Sequence, residues 1–291
     1  ARRFAEELRK HGHDVRVVST GKQEPGKYLV PERHIPVVDY FSKKQSFVFA
    51  QPDDSVLRKA MEGADLVHLF LPMKLEKRAL KLATELQIPC SAAFHLQPEN
   101  ITYNIRMGRI QWLSSFIYFW MRKSFYGKFG HIHCPSEFIA EQLRKHHYRA
   151  KLHVISNGVT EEFQFEHRPK TDALFHILMI GRLSPEKRQD LLIKAAKQSK
   201  YSDRLQLHFA GTGPSEQSLK KQGASLSHPP IFGYYQKEKL LQLIHSSDLY
   251  VHTSDAEIEA IACLEAVACG LVPIPANRQL HSLLWIPAAP S

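Results

Sequence analysis

Short apolar runs alternate with amphipathic stretches along nearly the whole chain, and this alternation restricts the fold more than any other feature. A short apolar run bounded by turn residues suits a strand buried on both faces, and an amphipathic stretch between two such runs suits the crossover helix of a parallel sheet. The first half reads as helix 1–11, strand 14–19, a loop around Pro25 and Gly26, a short strand at 35–38, helix 55–62, strand 66–70, helix 74–87 and strand 90–96. A long aromatic segment at 109–127, strand 131–135, helix 136–145 and strand 151–156 complete it. After "NGVTEEFQFEHRPKTDA" the series restarts with strand 175–181, helix 186–199, strand 205–211, helix 214–222, strand 231–234, helix 236–246 and strand 249–254. A helix carrying three glutamates follows from 255. The expected class is α/β, with two doubly wound, Rossmann-like domains at 1–160 and 161–291. The opening helix has no strand before it, and the end "ANRQLHSLLWIPAAPS" loses all periodicity. Both ends are therefore expected to be truncated relative to a longer protein, the first domain lacking its first strand and the second incomplete.

Composition narrows the partners. At 43% hydrophobic and 23% charged residues the chain is neither disordered nor a membrane bundle, while a net charge of +10 calls for an anionic partner. Cys90, Cys134, Cys263 and Cys269 stand singly without CxxC spacing, which favours reduced thiols over a disulfide framework or a zinc site. No run approaches the ~20 apolar residues that span a bilayer. The expected place is the cytoplasm or, peripherally, the inner face of the membrane.

Ligands of doubly wound folds bind beyond the carboxyl ends of the strands, so the loops there are the candidates. "GRLSPEK", from Gly181, follows a strand and opens a helix: a glycine for close approach, a helix start for an anion, and two cations, Arg182 and Lys187. A diphosphate would fit it, and so would a plain solvated turn. "AGTGPSEQSL" repeats the arrangement with Gly211 and Gly213, a weak signal by itself, since two glycines at a turn are most often there for geometry. In "DAEIEAIACLEAVACG", Glu257 and Glu265 on one regular helix would lie ~12 Å apart along the axis and ~80° apart around it, so they cannot chelate one ion. The pattern instead puts Glu257 in the turn and Glu265 on the helix, gripping separate hydroxyl-bearing parts of an extended ligand. Glu257 and Glu259 could also be first-turn acids that complement the helix dipole, but this leaves Glu265 unexplained.

The ordered set "HGHDVRVVSTG", "ADLVHLF", "CPSEF", "VISNGV", "IGRLSPEK", "FAGTGP", "SSDLYVHTS" and the paired glutamates resembles the retaining, nucleotide-sugar-dependent glycosyltransferases of family 4 with the GT-B fold, also described as glycosyl transferases group 1. The resemblance implies that Arg182 and Lys187 hold the donor diphosphate, beside Gly181, Gly211 and Gly213. It further implies that Glu265 holds the ribose hydroxyls and that Glu257 faces the transferred sugar. His95 would be the active-site histidine, orienting the sugar or the acceptor hydroxyl, with Glu99 beside it on the acceptor side. The implied donor is a UDP- or GDP-sugar, no cofactor or metal is required, and the reaction moves a hexosyl group to an acceptor hydroxyl. One departure stands out: Ile258, Glu259 and Ala260 occupy the place where members carry glycines.

Residues 109–129 interleave aromatics with Arg109, Arg122, Lys123 and Lys128, a composition suited to an anionic lipid surface and equally to a helix packed within the first domain. The first account implies a lipid acceptor such as diacylglycerol; a soluble glycan is the other. Two rival functions remain: a non-catalytic, truncated relative that only binds nucleotide, and a basic nucleic-acid-binding protein. No nucleic-acid motif supports the latter, so no nucleic acid is expected. "HIHC" at 131–134 and the pair His146 and His147 do not form a closed metal set, and "PDDS" at 52–55 reads as a helix cap.

Overall fold

The computed structural model describes residues 2–33, 48–99, 111–167, 172–255 and 257–276. Two compact units divide the chain: Ala1–Leu96, Trp112–Pro135 and Ile139–Ile155 form one, and Gln97–Gln111, Ser136–Phe138 and Ser156–Ser291 the other.

In the first unit α1 (Arg2–Lys10) leads to β1 (Val17–Ser19), which pairs in parallel with β2 (Lys27–Leu29). β2 and the two-residue antiparallel pair β3 (Glu32–Arg33) and β4 (Phe49–Ala50) occupy a region expected to be loop, and the strand expected at 35–38 lies outside the described residues. Next come α2 (Asp54–Met61), β5 (Val67–Leu69), α3 (Lys74–Glu85), β6 (Cys90–Ala93), α4 (Gln111–Ser124), β7 (His131–Cys134), α5 (Glu137–Lys145) and β8 (Lys151–Val154). β5 to β8 form a four-stranded parallel sheet in sequence order. Asp53 caps α2 as expected, its carboxylate accepting from Ser55 N and Val56 N.

Aromatic packing holds this unit together. Phe94, directly after β6, stacks on Tyr118 of α4 at 5.9 Å and meets Tyr126 at 4.9 Å. Tyr148 also lies edge-on to Phe94, and two of the buried hydroxyls find backbone acceptors: Tyr126 donates to Ala93 O at 3.2 Å and Tyr148 to Tyr118 O at 2.9 Å. Helix α4 is apolar on both sides. Tyr118 and Met121 are buried, whereas Trp112, Phe116, Phe119 and Trp120 remain 68%, 57%, 47% and 50% exposed.

In the second unit β9 (Phe175–Ile180), α6 (Gln189–Gln198), β10 (Leu205–Ala210), α7 (Glu216–Gly223), β11 (Ile231–Gly233), α8 (Lys237–His245), β12 (Leu249–His252), α9 (Ile261–Ala268) and β13 (Pro273–Pro275) alternate as expected. The five strands are parallel in the order β11-β10-β9-β12-β13. Side chains of β9 show why helices cover both faces. Ile177 and Met179 join Leu192, Ile193 and Leu219 in one core layer, and Leu178 joins Ile244, Cys263 and Ala266 in the other.

Two helix starts differ from the reading of the sequence. The helix expected from 186 begins as a 3-10 turn, Pro185–Lys187, and becomes α only at Gln189, because Arg188 takes a left-handed conformation with φ 54°. The glutamate helix begins at Ile261, not at 255, behind Ala260 with φ 51°. A left-handed residue cannot continue a right-handed helix, and no glycine announced either break. No helix among the described residues is long and apolar enough to cross a membrane.

Candidate functional site

The loops after β9, β10 and β12 carry the candidate side chains of the second unit, and the first two are joined by backbone bonds. Gly181 N donates to Ala210 O at 2.9 Å, Leu183 N to Thr212 O at 2.9 Å and Ser215 N to Leu183 O at 2.9 Å. A Cβ on Gly211 would stand 2.1 Å from Gly181 O, and one on Gly213 2.3 Å from Leu183 O. These two glycines are thus required by loop-on-loop packing. Gly181 differs: a Cβ there would meet only the Lys187 side chain, at 3.9 Å, but its φ of 150° favours glycine. Gly213→Ala is expected to destabilise the second unit by roughly 2 kcal/mol through overpacking. Urea unfolding measures this, and a variant as stable as the parent would show that the loops can part freely.

Lys187 and Glu257, assigned above to the adjoining diphosphate and sugar of a donor, are in direct contact. Lys187 Nζ donates to Glu257 Oε1, and the same oxygen pairs with His252 Nε2 at 2.9 Å. Behind the imidazole, the Tyr250 hydroxyl lies 3.1 Å from His252 Nδ1. The same hydroxyl also donates to Ile180 O at 3.5 Å. Burial pushes the Glu257 carboxyl up, but the His252 hydrogen bond and the Lys187 charge outweigh it and hold the pKa at about 2. Glu257 is therefore a carboxylate at any physiological pH.

Further bonds clamp the loop after β9 to the loop after β12. Thr253 Oγ1 donates to Lys187 O at 2.8 Å, Asp255 N to Glu186 O at 2.8 Å, and Arg188 Nη1 to Asp255 Oδ2 at 3.0 Å. The Arg188 Nε–Asp190 Oδ1 bond, 3.1 Å long, ties the same arginine to the start of α6. Arg182 is half-buried, and its carbonyl accepts from Gln189 Nε2 at 2.9 Å. Glu265 lies buried on α9, so the division into a loop glutamate and a helix glutamate is the one observed.

Glu259 is the residue that sequence reasoning misplaced. It stands before the helix and is 4% exposed. Its carboxylate accepts from Asn157 N at 2.8 Å and also from Ser156 Oγ and Asn157 Nδ2. The only local signal for this role was an acid between two apolar residues.

In the first unit His95 follows β6, stacked on Phe70 at 5.5 Å and edge-on to His133 at 5.6 Å. Burial, with a smaller contribution from His133, lowers its pKa to about 4, so the ring is neutral at pH 7 and can both donate and accept. Glu99 is half-buried and belongs to the second unit. Among the described residues no group of three or more His, Cys, Asp or Glu side chains is arranged to hold a metal ion.

A family model described as Glycosyltransferase Family 4 matches residues 1–163, and one described as Glycosyl transferases group 1 matches residues 159–281. The alpha-monoglucosyldiacylglycerol synthase of Streptococcus pneumoniae is 26% identical over 301 residues, covering 96% of this chain and 67% of that protein. Across two curated relatives the chain spans between 55% and 67% of their length. Among solved structures, a sucrose-phosphate synthase from Thermosynechococcus elongatus superposes with a TM-score of 0.69 at 16% identity, covering 94% of this chain and 74% of that one. The Anabaena protein Alr3699/HepE, in complex with UDP and glucose, does so with a TM-score of 0.58 at 16% identity, covering 89% and 79%. These likenesses establish the GT-B fold.

Proposed function

Because this chain belongs to Glycosyltransferase Family 4, we propose that it moves a hexosyl group, with retention of configuration, from a UDP- or GDP-sugar to a hydroxyl of a membrane lipid of the diacylglycerol class. The observation that carries this reading is the Lys187–Glu257–His252 constellation, set in loops at the carboxyl ends of a parallel sheet. An ammonium has three donors, so Lys187 can keep its bond to Glu257 and still give two to a diphosphate. Arg182 adds the second cation, and Glu265 takes the ribose hydroxyls. Both bonds to Glu257 fall on Oε1, and Oε2 accepts a hydroxyl of the transferred sugar.

In the first unit the neutral His95 orients the acceptor hydroxyl, with Glu99 on the acceptor side. That hydroxyl attacks the anomeric carbon on the face from which the diphosphate leaves. The bond from carbon to diphosphate oxygen breaks, the new glycosidic bond forms, and the hydroxyl proton passes to the departing diphosphate. The protein positions the reactants and stabilises the charge that develops on the diphosphate.

Support for a lipid acceptor comes from α4. Its exposed Trp112, Phe116, Phe119 and Trp120 have Lys123 beside them, and Lys77 lies 4.4 Å from the Trp120 ring. An aromatic stripe flanked by cations suits an anionic headgroup layer, which supports a peripheral position on a membrane surface. The curated relative named for monoglucosyldiacylglycerol points to the same acceptor class. The test supplies radiolabelled UDP-glucose and GDP-mannose, in parallel, to the chain on anionic vesicles that contain diacylglycerol. Labelled glycolipid from one donor is expected. Binding of UDP or GDP without transfer would replace this reading with a nucleotide-binding, non-catalytic one, and neither binding nor transfer would sink both.

A further inference from the structure

The bonds of Glu259 join two segments 102 residues apart in sequence, both within the second unit. At one end is the exposed turn Ser156–Gly158, where Gly158 has φ 70° and its amide donates to Ser156 Oγ at 2.9 Å. At the other is the loop that carries Glu257. Next to Glu259, Ile258 O accepts from Ser136 Oγ at 2.6 Å, so two consecutive residues of this loop are tied to distant chain. A carboxylate with three donors, one a backbone amide, is held far more rigidly than a surface acid, since each charge-assisted bond in a buried setting outweighs a neutral one.

Glycine would give the loop freedom at this place; Ile258, Glu259 and Ala260 remove it. The carboxylate is spent on Ser156 and Asn157, while Ala260 holds a left-handed φ of 51°. We infer that Glu259 is a positioning residue: its carboxylate latches the loop of residues 257–260 to the Ser156–Asn157 turn and thereby fixes where Glu257 meets Lys187. The consequence for donor binding rests on the function proposed above.

The polarity of one bond can be reversed, which makes the latch testable in the full chain. Glu259→Gln keeps Oε1 as the acceptor for Ser156 and Asn157 N but sets an amide NH₂ against Asn157 Nδ2. Asn157→Asp sets two carboxylates against each other. The double variant restores one donor and one acceptor. Hydrogen exchange of residues 257–260 and 156–158 is expected to quicken roughly tenfold in each single variant, the scale of one lost charge-assisted bond. It should return towards the parent rate in the double variant, while Phe175–Ile180 is unchanged throughout.

UDP titration is the second arm. Affinity is expected to fall about tenfold in the single variants, within the usual range of coupling between linked sites, and to recover in the double. Unchanged exchange at 257–260 in Glu259→Gln, or no recovery in the double variant, would overturn the latch. Exchange that follows the design while UDP affinity stays constant would overturn the positioning role. If the parent binds no UDP, the donor reading fails, and the exchange arm still decides whether Glu259 holds the loop.

Discussion

Replacing Lys187 by methionine is expected to abolish UDP binding and to destabilise the second unit by roughly 3 kcal/mol, the usual cost of stripping one partner from a largely buried ion pair. Methionine keeps the length and the apolar stem, so the change isolates the charge. Glu257, 13% exposed at its side chain, would then keep the His252 bond but lose the Lys187 charge and hydrogen bond that help to offset its burial. Part of the loss is recovered by protonation as its pKa climbs from about 2. Turnover should fall by ~100- to 1,000-fold, the scale for removing one group that meets developing charge. Urea unfolding and UDP titration of the variant separate the two roles. Stability equal to that of the parent would refute the buried pair, and a destabilised variant with undiminished UDP affinity would remove Lys187 from the donor site.

Stability should also drop steeply as the pH falls from about 6.5 towards 4. His68 and His95 in the first unit and His208 in the second each have a pKa lowered to about 4, mainly by burial and then by the neighbouring His133 or His176. A base with a depressed folded pKa binds fewer protons folded than unfolded in this window, so its contribution is complete above 6.5 and is lost on the way down. Each histidine could supply at most about 3 kcal/mol of the loss. Glu76 works in the opposite sense. Burial raises its carboxyl to about 7, so it destabilises the fold progressively as the pH rises from 4.5 to that value. The first unit thus has two opposed trends, and His208 serves as the probe in the second. Urea titrations at pH 7 and pH 5 should show a loss of stability that His208→Gln reduces for the second unit. An equal loss in parent and variant would mean that His208 is accessible to water and protons in the fold.

How much of this was legible depends on the range over which each feature is encoded. The α/β alternation was readable because facing two core layers imposes a period on each element by itself: Ile177 and Met179 on one side of β9, Leu178 on the other. Strand ends could be read for the same reason, and with them the loops of Arg182, Lys187 and Glu257. Two helix starts were not. Arg188 and Ala260 take left-handed conformations that their residue types do not signal, and the surrounding loop contacts hold them there.

Glycines show the same divide. Gly211 and Gly213 were visible as a turn, with geometry the commoner explanation, and only the position of Leu183 O and Gly181 O identified the steric requirement. In α4 the residue types were plain, but a helix apolar on both sides does not announce which face it buries. Packing against Phe94 decided it, turning Tyr118 inward and leaving Trp112 and Trp120 outside.

By itself, then, the sequence determined the class of fold, the order of its main elements beyond the short strands at 27–33 and 49–50, the family and the loops in which chemistry could reside, since these follow from local periodicity and ordered motifs. Tertiary structure alone decided which charges meet. Lys187 and Glu257 lie 70 positions apart and Asn157 and Glu259 102, and no short-range pattern couples residues so distant. Their meeting is set by how the parallel strands bring their carboxyl-end loops together, and by backbone bonds that leave each side chain one place to go.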